Sequence, residues 1–111
     1  MGSGTAIPEI SEPAELDHLI RTESRGVVME FWSTWCRPCR VLRPHLERLA
    51  RNHVEAWRFV AVHVEKSPEL VEAWSVKGTP TLIYLRDGEE RRRTAGAVTP
   101  SMIEASLGSV I

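Results

Sequence analysis

Only two cysteines occur in the 111 residues, and just two residues separate them, in Cys36-Arg37-Pro38-Cys39. Thiols at this spacing can hold a metal together with further ligands, form a static cross-link, or cycle between dithiol and disulfide. Zinc needs about four ligands, and His18, His45, His53 and His63 do not supply the paired histidines that accompany a Cys-x2-Cys half-site. A static bridge contributes less as its loop shortens, and this loop is very short. The several-bridge framework of small secreted domains is excluded by the count. Reversible thiol–disulfide exchange is the chemistry that fits.

Where the pair sits sharpens this reading. Val27-Val28-Met29-Glu30-Phe31-Trp32 is an apolar, β-branched run broken by one acid, which predicts a strand buried on both faces. From Pro38 to about His53, Leu42, Leu46, Leu49 and Ala50 form one stripe with arginines elsewhere, which predicts an amphipathic helix that Pro44 should kink. The cysteines therefore lie where a buried strand turns into a helix. Free N–H groups and the positive end of the helix dipole stabilise an anion there, so Cys36 is positioned to be a thiolate, the attacking species. Cys39, one turn on, is placed to attack the mixed disulfide formed by Cys36 and release the reduced partner. Pro38 suits a first helical turn and limits how far the loop can rearrange. Glu30 is conspicuous in its apolar strand, because burial disfavours a charged carboxylate and raises its proton affinity.

The remaining elements must position this corner. Ser11-Glu12-Pro13 supplies a cap candidate and an early proline for a helix ending near Thr22, and a short strand is expected within Thr5 to Ile10. Trp57 to Val64 reads as a second buried strand; strand, helix, strand predicts parallel pairing and an α/β architecture. Ser67-Pro68 opens a short helix that Gly78 and Pro80 would end, Asp87-Gly88 joins Thr81–Leu85 to Glu90–Ala95 as a hairpin, and Thr99-Pro100 opens a last helix. With 42% hydrophobic and 26% charged residues the length allows one core, so residues 5–111 are expected to form a single domain after a small, flexible Met1–Gly4 start. A net charge of −1 favours neither nucleic acid nor anionic lipid as partner, and no apolar run approaches the roughly 20 residues of a bilayer span. Without a secretory signal pattern, the expectation is a cytoplasmic protein.

Glu30-Phe31-Trp32-Ser33-Thr34-Trp35-Cys36-Arg37-Pro38-Cys39, then Pro44, Gly78-Thr79-Pro80-Thr81, Asp87-Gly88 and Gly96, taken in order from about Thr5 to the C-terminus, resemble the thioredoxin family. The resemblance implies a central mixed sheet, part parallel and ending in an antiparallel hairpin, flanked by helices on both faces. It implies Cys36 as nucleophile, Cys39 as resolving thiol, and Pro80 as a cis-proline beside the disulfide; cis X-Pro bonds are only about 5% of cases, so that expectation comes from the family alone. It also implies that the backbone at Thr79 pairs with an extended client segment, with Trp35, Gly78, Gly96 and Ala97 lining the docking surface. Partners would be client proteins with disulfides and an electron-donating reductase, with a thioredoxin reductase as one candidate. No cofactor is expected beyond the Cys36–Cys39 disulfide itself.

Four departures bear on function. Glu30 stands where thioredoxins usually carry Asp, suiting it to take the proton from Cys39, while the lysine that often neighbours that acid is replaced by Ala61, with His63 on the same strand face. Arg37 replaces the usual Gly between the cysteines, and Thr79 an aliphatic residue before the proline. Arg91-Arg92-Arg93 reads as a solvated strand edge. The resulting expectation is a protein-disulfide reductase; the rivals are an oxidase or isomerase in an oxidising compartment, and a binding or chaperone module on the same fold.

Overall fold

A computed structural model describes residues 6–110, so the Met1–Gly4 start and Thr5 lie outside the described residues. The elements run α1 (Pro13–Thr22), β1 (Gly26–Trp32), α2 (Arg37–Asn52), β2 (Trp57–His63), α3 (Pro68–Ala73), β3 (Thr81–Arg86), β4 (Glu89–Ala95) and α4 (Pro100–Ser109). The sheet order is β2-β1-β3-β4, with β1 parallel to β2 and antiparallel to β3, and β3 antiparallel to β4.

Alternation along β1 builds two cores. Val28 packs with Leu42, Leu46 and Leu49 of α2 and Ile103 and Leu107 of α4 on one face, while Val27, Met29 and Phe31 pack with Leu16 of α1 and Leu70 of α3 on the other. A strand covered on both faces needs no polar side, which is why β1 is so nearly apolar. Glu30 shares the face of Val28 and so points toward α2. Gly26 begins β1 because Trp57 fills the space beside it: a Cβ there would lie 2.5 Å from the indole ring.

Of the stretch expected to hold a short strand, Thr5 lies outside the described residues, and Ala6 to Ile10 form no strand of their own. A single parallel bridge joins Glu9 to Ala61, with Ile10 N–H donating to Ala61 O and Ala61 N–H to Pro8 O. Pro8 has no N–H to extend the ladder, yet the contact covers the open edge of β2. The opposite edge, β4, carries Arg91, Arg92 and Arg93; Arg93 pairs with Glu90 and Arg92 donates to Ser106 Oγ. Asp87 and Gly88 both have positive φ, 54° and 76°, the backbone of a tight two-residue hairpin turn. The N-cap of α1 is Glu12 rather than Ser11, because Pro13 takes the first helical position. In α4, Thr99 Oγ1 accepts the Met102 N–H. Helix α2 continues through Pro44, which removes one intrahelical N–H without ending the helix. None of the described helices is long and apolar enough to cross a membrane.

Candidate active site

β1 ends at Trp32, and Cys36 N–H donates to Ser33 O, closing a turn that delivers Cys36 to the N-cap of α2. Cys36 and Cys39 are joined as a disulfide with Cα atoms 5.3 Å apart. Cys36 Sγ accepts the Cys39 N–H at 3.2 Å, so one orphan donor of the helix already points at the sulfur that would carry charge after reduction. Cys36 is 9% exposed and Cys39 3%. Arg37 and Pro38 are exposed, and Trp35 stands out at 84% exposure.

The turn is held through Thr34. Its Oγ1 lies 2.8 Å from His63 Nε2, its carbonyl accepts from Arg40 Nη1 at 2.9 Å, and its N–H donates to Glu65 Oε1 at 3.4 Å. His63 is buried, and its ring meets Trp32 edge-on with centroids 4.4 Å apart. That makes His63 a packed support of the turn.

Pairing of Thr81 with Phe31 sets the stretch before β3 at the same end of the sheet as the cysteine turn. The Thr79–Pro80 bond is cis. Pro80 O accepts the Gly96 N–H at 2.9 Å, and Thr81 Oγ1 donates to Gly78 O. Gly96 has φ 84°, which explains glycine there by backbone alone; at Gly78 a Cβ would meet open space. Gly78, Gly96 and Ala97 are exposed and Thr79 is half-buried. Gly78 and Thr79 share a shallow groove with Ser33, Val64 and Val76. Among the described residues a larger groove of about 370 Å³, between Ala6, Arg25 and Trp57, lies at the far end of the sheet.

Glu30 is 1% exposed. Burial raises its carboxyl from the ordinary 4.5 to about 7, against the opposing pull of Arg43. Arg43 Nη2 lies 2.7 Å from Oε1, while Oε2 meets no donor among the described residues. The guanidinium also sits 4.0 Å from both Glu9 and Glu47 and 5.4 Å over the Trp32 ring. Glu9, Trp32, Cys39, Arg40 and Arg43 line a groove of about 340 Å³. Arg43 thus stands between the buried acid and the space beside Cys39. The cation beside Glu30 is on α2, while the β2 position of the family lysine holds the fully buried Ala61; Arg43 was not among the site residues expected from the sequence. The available signal was an arginine one turn after Cys39, beside the apolar stripe of α2.

The family model for thioredoxin matches residues 8–109. The chain belongs to the thioredoxin family. The thioredoxin of Mycoplasmoides gallisepticum is 32% identical over 98 residues, covering 88% of this chain and 96% of that protein. Thioredoxin 1 of Chlorobaculum tepidum is 36% identical over 83 residues, covering 75% and 82%. The crystal structure of oxidised mitochondrial thioredoxin 3 from Saccharomyces cerevisiae superposes with a TM-score of 0.86 at 28% identity, covering 95% of this chain and 96% of that one. Together with the disulfide at the start of α2, membership makes the protein a thiol–disulfide oxidoreductase, as thioredoxins are disulfide reductases. Thioredoxins act on disulfide-bearing proteins and are themselves reduced by a reductase. Relatives named for the chloroplast and the mitochondrion occur alongside the bacterial ones.

Proposed function

We propose that the protein reduces client disulfides with Cys36 as nucleophile and Cys39 as resolving thiol. The observation that carries this is the position of Cys36 at the N-cap of α2, with its Sγ accepting the Cys39 N–H and its side chain the more exposed of the pair. In the dithiol state the Cys36 thiolate attacks one client sulfur, forming a mixed disulfide and expelling the other client sulfur as thiolate. Cys39 gives its proton to the Glu30 carboxylate and attacks Cys36 Sγ, closing the Cys36–Cys39 disulfide and freeing the second client sulfur. Two electrons pass from the dithiol to the client. Trp35, Gly78, Thr79, Pro80, Gly96 and Ala97 form the surface on which an extended client strand docks, and Arg37 and Pro38 tune the sulfur between them.

The electrons reside in the cysteines, with no bound cofactor. A thioredoxin reductase returns them, in a reducing, cytoplasm-like compartment. Neither nucleic acid nor membrane takes part.

Insulin reduction with dithiothreitol as donor, followed by a redox titration, tests this reading. Catalysis should be evident, with a potential between about −270 mV and the glutaredoxin range near −200 mV. A potential above about −180 mV would instead assign an oxidase or isomerase, and no catalysis would assign a binding module.

A further inference from the structure

Helix α2 carries five arginines and one glutamate. Glu47 is shared by Arg43 and Arg51. No carboxylate lies within ion-pair distance of Arg37, Arg40 or Arg48 among the described residues: Arg40 donates to a backbone carbonyl, and Arg48 to His45 Nδ1 at 3.1 Å. A cation in the first turn of a helix opposes the dipole, so Arg37 and Arg40 are held there at some cost to α2. In a chain with 14 basic and 15 acidic residues, this local excess is a feature of one face.

Arg37, Val41, His45 and Arg48 follow one another at helical spacing and form a single stripe leading away from the disulfide. Along the Arg37 end of this stripe lies a groove of about 320 Å³, lined by Arg37, Pro38, Val41, Leu42, His45 and Pro100. Val41 is 61% exposed, and Met102 of α4 is 52% exposed. No acidic residue lines this groove. Eleven residues of helix put the backbone positions of Arg37 and Arg48 about 16 Å apart, a span that about five residues of extended chain cover.

We infer that this stripe is a second docking surface, which takes an acidic client segment carrying an apolar side chain between two carboxylates about five residues apart. The inference rests on the reductase reading above and extends it to a substrate class: the groove starts within the active-site motif, so a client whose disulfide reaches Cys36 can lay its flanking chain along α2. The apolar side chain fills the space over Val41 and Pro100, and the carboxylates meet Arg37 and Arg48.

The test uses reduced protein and three disulfide-bridged peptides that share one disulfide, with a flank of leucine between two residues five positions apart. Those two residues are glutamates, glutamines or lysines. The glutamate peptide should be reduced about tenfold faster than the glutamine peptide at about 0.1 M salt and the lysine peptide more slowly, with the differences collapsing near 0.5 M salt. At about 0.1 M salt the Debye length is about 10 Å, shorter than the roughly 18 Å of helix between Cys36 and Arg48, so Arg48→Glu reads docking rather than redox tuning and should reverse the order of the glutamate and lysine peptides. Arg48→Gln should remove most of the preference. Equal rates for all three peptides, or a preference that Arg48→Glu leaves intact, would overturn the surface while leaving the reductase reading standing. Failure to reduce any peptide would overturn that reading and the surface with it. Concentration-dependent dimerisation abolished by Arg48→Glu would give the stripe to a second copy of this chain and likewise overturn the proposal.

Discussion

Arg43 Nη2 lies 2.7 Å from Glu30 Oε1, across the interface between α2 and the buried face of β1. The contact compensates part of the cost of burying a carboxylate, yet burial prevails and the proton affinity of Glu30 stays high. It also holds one oxygen and leaves Oε2 without a donor among the described residues, so that oxygen is the one free to take a proton.

Glu30 makes the stability of the oxidised protein depend on pH. Its carboxyl is raised from 4.5 to about 7 in the folded state. Below pH 4.5 it is protonated folded or unfolded and contributes nothing. As pH rises toward 7 the unfolded chain has released the proton while the folded chain keeps it, so stability falls, by about 3 kcal/mol in all, and levels off above pH 7. Denaturant unfolding of wild type and Glu30→Gln from pH 4 to 9 should show that slope only in wild type. Parallel curves would mean that Glu30 titrates at its ordinary value.

Removing Arg43 should act through Glu30. In Arg43→Met the acid loses its nearest positive charge, its proton affinity rises further, and the pH at which resolution by Cys39 reaches half its full rate moves upward. Stability should match wild type to within about 1 kcal/mol at pH 5, where Glu30 is neutral, with a deficit that opens above pH 7 toward the 3–5 kcal/mol of a broken buried pair. Arg43→Lys should restore much of both. A pH-independent loss would mark Arg43 as packing against Trp32 alone.

The two cysteines should be separable. Cys39→Ser should accumulate mixed disulfides with insulin chains, visible on a non-reducing gel, and Cys36→Ser should not. Iodoacetamide at pH 7 should label Cys36 of the reduced protein at least about tenfold faster than Cys39, because only Cys36 receives the helix-start donors and is the more exposed. Faster labelling of Cys39 would reverse the roles.

Arg37 should shift the redox balance slightly. Its positive charge beside Cys36 favours the thiolate, which exists only in the reduced form, so the arginine makes the protein a weaker reductant. Because the side chain is exposed, Arg37→Gly should lower the potential by no more than about 20–30 mV, with the shift shrinking in high salt. An unchanged potential would confine Arg37 to client recognition.

The sequence by itself determined the elements and the chemistry. Apolar periodicity marks β1, α2 and β2 because burial selects side chains locally; Asp87-Gly88 and Thr99-Pro100 mark their turn and helix start because backbone dihedrals and caps are local too. Cys36 and Cys39 could be read because three positions within one helical turn already bring two thiols together. What the tertiary structure decided is which distant groups converge. Residues 8–10 pair with β2 at one bridge instead of forming a strand, since Pro8 cannot extend the ladder. Thr34 finds His63, 29 residues away, and Glu30 finds Arg43 on the helix packed over it, not a cation on β2. Such partners depend on how α2 is rotated and set down on the sheet. That rotation is the outcome of packing Leu42, Leu46 and Leu49 against Val28, and no spacing within either segment encodes it.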